Sequence, residues 1–317
     1  MDSISTDPPG SPMPTMTAPV ESLTSGHHAT RAAAAGLAAM LFAACAGTYR
    51  PPEAMVSVLQ HALSFPEATP ECVEILLQRG HVLIQSGTEL AGDVQISVRA
   101  PSEHSAAVRA NSVRLDPSYE NGVYTLRVTH APDTSLDAVD VRYRLRVPAN
   151  VGIAVLGNTA QVAIRGYAGM AKVRTNSGEI LARPAGGDCT LETKSGGIRL
   201  GGRFKTAEIT TSRGDVAITL PRKRSIDLQA SSDSGRVVID LPEGCRMSLD
   251  YTTEQGTLRT DFPVEWEAHG KQGEGNRVYR GKVGDKGCDV TVTAVVRCKQ
   301  AELEVRRLAD PARPAKR

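Results

Sequence analysis

Six cysteines, seven histidines and a scatter of carboxylates are the residues through which this chain could do chemistry, and their spacing supports little of it. No cysteine is followed two to four residues later by another, so the ligand spacing of a zinc site is missing. Cys189 lies in phase with Leu191 and reads as a small core residue. Cys288 and Cys298 stand on adjacent expected strands and form a candidate disulfide for a compartment outside the cytoplasm. With Cys45 set aside the count is odd, which leaves at least one thiol free or paired between chains. A polysaccharide lyase or hydrolase built on a β-helix would need converging carboxylates, or an Arg-Lys-Asp cluster, on one groove-facing strand. Asp188, Glu192, Glu208, Asp215 and Asp227 are instead spread over outward positions, and the histidines form no spaced pair.

Two further motifs fail on inspection. Gly275 to Lys282 is one residue too long for a phosphate-binding loop, and Val283 stands where the hydroxyl is needed. Calcium-binding nonapeptide rolls require an Asp in each half-coil, and Asp215 is almost the only acid so placed. The Arg222-Lys223-Arg224 corner reads as solvated charge. No catalytic residue, metal ligand or cofactor site is assigned, and the chain is expected not to be an enzyme.

What the sequence does carry is a repeated phrase: polar, polar, Gly, polar, then a β-branched residue or Leu. It recurs from Asn158 to Leu258 with third positions Ala160, Gly178, Gly196, Gly214, Gly235 and Gly256, in steps of 18, 18, 18, 21 and 21. A fixed period near this length marks a solenoid. Glycine at a turn supplies a backbone conformation that other residues adopt only with strain. Each turn feeds an alternating pair such as Ile180/Ala182, Ile198/Leu200 or Val216/Ile218. A second set follows, as in Ala171/Val173/Thr175, Cys189/Leu191/Thr193 and Ala207/Ile209/Thr211. Period-two spacing puts each set on one face of a strand. The expected fold is therefore all-β: a single-chain β-solenoid with two short strands per coil of 18–21 residues.

The remaining chain is read around that body. Residues 1–44 are a Pro/Ser/Thr-rich lead and an apolar run after Arg31, the pattern of a secretory signal too short to span a bilayer comfortably. Residues 45–71 read as a tether with a helix-compatible run at Glu53 to Leu63. Residues 72–150 read as an antiparallel β cap in which QRGHV is an outlying copy of the repeat turn. Residues 151–308 are the solenoid body and 309–317 a polar tail. Arg142, Arg144 and Arg146 alternate with Val141, Tyr143, Leu145 and Val147, so they lie on the outer face of the cap. Aromatics make up 4% of the chain and the net charge is +2, which argues against an aromatic-lined groove and demands no nucleic-acid partner.

Two resemblances add to this. Leu41-Phe42-Ala43-Ala44-Cys45 resembles the lipobox of bacterial lipoproteins, which implies lipid on the Cys45 thiol, cleavage before it and a membrane as partner. By the same analogy Ala46 favours the outer membrane. The turns Ser177-Gly178, Ser195-Gly196 and Ser234-Gly235, with Val147-Pro148 and the run Gly214 to Pro221, resemble the bacterial β-strand-repeat "putative adhesin" family, a domain of unknown function. That likeness covers Val73 to Val305. It implies an exported or membrane-tethered β-solenoid with no established enzyme activity. The expected role is adhesin-like binding or envelope scaffolding toward an envelope protein or glycan. The alternatives are a carbohydrate-active β-helix enzyme and an envelope-stress regulator.

Overall fold

The computed structural model describes residues 55–130, 138–222, 225–272, 275–285 and 291–308. The signal segment, Cys45, Cys288, the tail and most of the Arg222–Arg224 corner lie outside them. In chain order the elements are β1 (Met55–Ala62), β2 (Cys72–Ser86), β3 (Ala91–Ala100), α1 (Glu103–Ser112), β4 (Arg114–Glu120), β5 (Val123–Thr129) and β6 (Val139–Val147). Next come β7 (Gly152–Arg165), β8 (Ala171–Ser177), β9 (Ile180–Arg183), β10 (Asp188–Ser195), β11 (Ile198–Leu200), β12 (Thr206–Arg213) and β13 (Val216–Thr219). The last are β14 (Ile226–Ser234), β15 (Arg236–Pro242), β16 (Arg246–Thr253), β17 (Leu258–Thr260), β18 (Val264–Gln272), β19 (Asn276–Gly284), β20 (Thr291–Cys298) and β21 (Glu302–Leu308).

Each coil contributes one strand to each of two walls. In the first wall β7, β8, β10, β12 and β14 pair in parallel, and in the second β7, β9, β11, β13 and β15 do so. The register stacks like on like. Val162, Ile180, Ile198, Val216 and Val237 form one inward column, and Val155, Val173, Leu191 and Ile209 another, all buried. This is the solenoid that the repeat phrase implies. No single coil covers its own apolar face, and the next rung does.

At both ends the order of coils departs from the order of the chain. β2 is a complete coil, bent at Gly80, that lies in register on β7 from Cys72↔Gly152 to Gln85↔Arg165. Its other side carries β5 and β6, also in parallel. The expected cap at 72–150 is antiparallel where β3 pairs with β6 and β4 with β5, and parallel where β2 meets β5, β6 and β7. Val73, Ile75, Val82 and Ile84 face inward as their counterparts in β7 do, and only β1, β3 and β4 add antiparallel strands outside them. Within the helix-compatible run at Glu53 to Leu63, Met55–Ala62 is strand β1, because β3 offers it eight antiparallel partners from Ala100 to Asp93. The sequence reading placed no helix at α1, whose N-cap Ser102 accepts from the Ser105 amide and which buries only Ala106 and Ala110.

The other end repeats the device. Met247, Leu249 and Tyr251 do not stack on β14, as successive repeats would require. β20 lies between β14 and β16, and β21 between β15 and β17. Three residues join Pro242 to Arg246, enough extended chain to step over one inserted rung. The antiparallel pair β18–β19 then closes the first wall against β16.

Inside, a hydroxyl column runs up one corner: Thr175, Thr193, Thr211, Ser232 and Thr253 are all buried, and the Thr175 and Thr193 hydroxyls meet at 3.1 Å. Cys298 fills the same column between Ser232 and Thr253. Burial pushes its thiol from 9.0 up to about 12. Burial, helped by the neighbouring Asp188 charge, raises Cys189 from 9.0 to about 11. Burial likewise raises the hydroxyls of Tyr167 and Tyr251 from 10.0 to about 12. An unfolded chain releases these protons from about pH 9 upward, while the folded one holds them. Stability is therefore expected to be flat through neutral pH and to fall as pH rises from 9 toward 12. Urea midpoints taken at pH 7, 9 and 11 check this; equal midpoints at 7 and 11 would contradict it.

Candidate binding grooves on the outer walls

The residues singled out by their spacing separate into a scaffold set and an outer-surface set. Gly178, Gly196, Gly214 and Gly235 adopt positive φ between 122° and 159°, and a Cβ on any of them would fall within 2.3 Å of the carbonyl oxygen one rung below. Gly80 joins the column, since a Cβ added there would lie 1.9 Å from the Val141 oxygen. Gly256 differs: its φ lies outside the left-handed range, and glycine is needed there because a Cβ would meet the Ala301 oxygen and the Tyr251 hydroxyl. Cys298 faces the interior as a free thiol, and Cys288 lies outside the described residues. Cys189 is buried between Ala171 and Ala207.

The acids do not converge. Glu192 pairs with Arg174 at 3.1 Å, Asp188 accepts from Thr206, and Asp215 accepts from the Arg236 amide at 2.9 Å. Glu208 and Asp227 are exposed on the first wall. Among the described residues no three His, Cys, Asp or Glu side chains are grouped to hold a metal.

Among the hollows of the outer surface, one on each wall combines apolar side chains with arginines. On the first wall a hollow of about 940 Å³ has Leu76 and Leu156 on its floor and Arg127, His130, Arg174, Asn158 and Asn176 around it. Arg127, Leu76, Leu156 and Arg174 occupy one row across β5, β2, β7 and β8. The Asn176 amide donates to the Asn158 oxygen at 2.9 Å and Ser177 bonds Thr159 at 3.2 Å, so the polar corner is a ladder like the interior.

On the second wall a hollow of about 240 Å³ lies over Leu83, Ala163 and Leu181. These form one outward row, continued by Arg144 on β6 and Arg199 on β11. The row beside it reads Arg146, Gln85, Arg165, Arg183 and the row on the other side Arg142, His81, Gln161. Arg142 is held by Asp140 at 3.3 Å, and Arg199 by Glu179 at 3.2 Å. Arg144, Arg146, Arg165 and Arg183 are exposed and make no ion pair with a described residue.

The alternation at 142–146 identified three of these arginines from sequence. Arg165 and Arg183 and the apolar row were missed, although superposing the repeats puts Ala163, Leu181 and Arg199 at one position and Arg165 and Arg183 at another.

Residues 153–292 match the family model Toastrack DUF4097. The family read from the turn phrases is thus borne out over the central coils; β2 and most of the C-terminal coil lie beyond the matched span. No curated protein sequence matches the chain. Among solved structures it is similar to a "putative adhesin" from Parabacteroides merdae ATCC 43184, at 10% identity and TM-score 0.41 over 79% of this chain and 95% of that one. A "putative adhesin" from Parabacteroides distasonis ATCC 8503 follows at 10% identity and TM-score 0.38, over 80% and 98%. A "putative cell adhesion protein" from Clostridium sporogenes ATCC 15579 has 9% identity and TM-score 0.35, over 80% and 100%. Likeness of that order carries no ligand across.

Proposed function

We propose, from the premise that residues 153–292 form a Toastrack domain, that this is a non-enzymatic, lipid-anchored protein of the cell envelope that binds through its outer walls. The observation that carries the binding role is the second-wall groove. Its apolar floor and unpaired guanidinium groups sit on strands fixed by the inward columns, so the surface is rigid before any ligand arrives. Preorganised surfaces of this kind lose little freedom on binding. The groove holds one carboxylate, Glu179, already engaged by Arg199, which supports a surface for recognition in preference to acid–base chemistry.

Anchoring rests on the lipobox-like segment ending at Cys45. A single acyl chain holds a protein to a membrane only marginally, and two or more hold it firmly. Cells expressing the wild type are expected to incorporate labelled palmitate into the protein, and Cys45→Ser is expected to abolish the label and release the protein into the soluble fraction. Equal labelling of the two would overturn the anchor.

A further inference from the structure

We propose that the arginine rows on the outside of the second wall form a binding surface for a polyanionic glycan, with the carboxylate or sulfate groups of the sugar seated on Arg146, Arg165, Arg183 and Arg144. The inference deepens the envelope-binding role and rests on it for where such a ligand is met.

The first argument is electrostatic. Arg165 and Arg183 are direct neighbours on adjacent parallel strands, a separation of roughly 4.8 Å between backbones. Like charges placed side by side on a sheet destabilise it. Elsewhere on these walls cations face carboxylates: Arg174 faces Glu192, Arg280 faces Asp250 and Arg236 faces Glu304. Arg144 has Asp93 as its antiparallel neighbour on β3, whereas at Arg165 and Arg183 no described carboxylate completes the pattern, and an external anion would.

The second argument is geometric. The cations lie on a lattice, spaced by roughly 4.8 Å across rungs and about 6.7 Å along a strand. Arg142, Arg144 and Arg146 follow the strand direction, and Arg146, Gln85, Arg165 and Arg183 follow the rungs. A repeating linear anion can touch several such points at once, and a single small anion only one or two. Gln85, Gln95 and Gln161 are interleaved with the arginines and offer amide donors and acceptors to sugar hydroxyls. The floor of Leu83, Ala163 and Leu181 fits the carbon face of a ring.

Two other polyanions fit less well. Single-stranded nucleic acid is held largely by stacking on aromatic rings, and the aromatic residue of this groove, Tyr143, is buried with 1% exposed. An anionic membrane surface favours protruding apolar side chains beside the cations. Here Leu83 and Ala163 are only partly exposed, and of the floor Leu181 is the one exposed residue.

The test is binding of the purified full-length Cys45→Ser chain, which carries no lipid and is kept free of detergent, to polygalacturonate and to heparin. Neutral dextran, phosphatidylglycerol vesicles and single-stranded DNA serve as comparisons. The expected result is binding to the two acidic glycans that weakens as salt rises, with none to dextran. Arg165→Ser combined with Arg183→Ser is expected to weaken it about tenfold, two contacts at the usual strength of exposed pairs. Leu181→Asp, also on the outer face, is expected to do at least as much. Lys271→Ser with Lys282→Ser removes the same charge from β19 and its hairpin partner and is expected to change nothing. The arginine double variant should melt no lower than wild type, because its two side chains are exposed.

Equal loss in the Lys271/Lys282 variant would reduce the effect to net charge and overturn the proposal. So would absence of glycan binding at low salt, or preferential binding to the vesicles or to DNA. The palmitate label is independent of all of these. Equal labelling of wild type and Cys45→Ser would remove the anchor and leave the glycan surface standing, and a failed glycan titration would do the reverse.

Discussion

Gly196→Ala is expected to leave the protein unfolded, or to lower its melting temperature by roughly 10 °C or more. The residue has φ +151°, and its added Cβ would lie 2.1 Å from the Gly178 carbonyl oxygen. Backbone held in such a region costs a non-glycine residue about 1–3 kcal/mol. The overlap adds to this, because separating the atoms means prying apart rungs that are hydrogen-bonded on both sides of the corner, Gly178 N–H to Ser195 and Gly196 N–H to Arg213. A total of about 4 kcal/mol or more belongs to the severe class of substitutions. In a domain of this size each kcal/mol moves the midpoint by about 2–4 °C. Gly244→Ala is the control: φ is +77°, nothing lies within 4 Å of its Cβ, and the expected loss is about 1–2 kcal/mol. Thermal melts followed by circular dichroism decide the matter. Similar shifts for the two variants would mean that the rungs are not in tight register.

Leu303→Ala is expected to destabilise the protein by about 2–5 kcal/mol, the usual range for a fully buried leucine. The pattern of the damage is the sharper prediction. Leu303 sits between Val237 on β15 and Leu258 on β17. The inserted coil is also the parallel partner of β16, and the Tyr251 hydroxyl donates to the Ala301 oxygen at 2.9 Å. Amide exchange should therefore accelerate in residues 246–260 as much as in 291–308, while residues 171–200 keep their protection. Unchanged protection at 246–260 would show that β16 and β17 hold to the body by another route. Removing residues 291–317 altogether is expected to give an aggregated product, since it uncovers the apolar edges of two coils at once.

The interior of the central coils was legible because each rung there lies on its sequence neighbour. The columns through Ile180, Ile198 and Val216 follow from the spacing of the turn glycines alone. The period also located the glycine corner itself, down to Ala160, which takes no positive φ. At the ends the same reasoning misplaced whole segments. In Cys72 to Ser86 the phrase QRGHV did mark a copy of the repeat turn, and Gly80 takes the glycine corner, but nothing local says that this coil will lie on residues 152–165. The apolar faces are identical, and the partner is distant in the chain. The hairpin at Glu120-Asn121-Gly122 was readable, since Asn121 and Gly122 both take positive φ as a two-residue turn demands. α1 was not, because two buried alanines leave hardly any periodic signal. The groove was half readable: a run of alternating arginines on one strand is visible in sequence, but the neighbours that turn it into a surface come from four other strands.

The insertion of the last coil between β14–β15 and β16–β17 fixes the order in which the molecule can be completed. A chain that is delivered N-terminus first can add rungs one by one from residue 152 to residue 242. Residues 246–272 then appear before the neighbour they need exists. They must wait, with Met247, Leu249 and Tyr251 uncovered, until the final residues arrive and slide into the gap. The coil of β20 and β21 acts as a keystone: a chain that stops short of it cannot hold the arch shut.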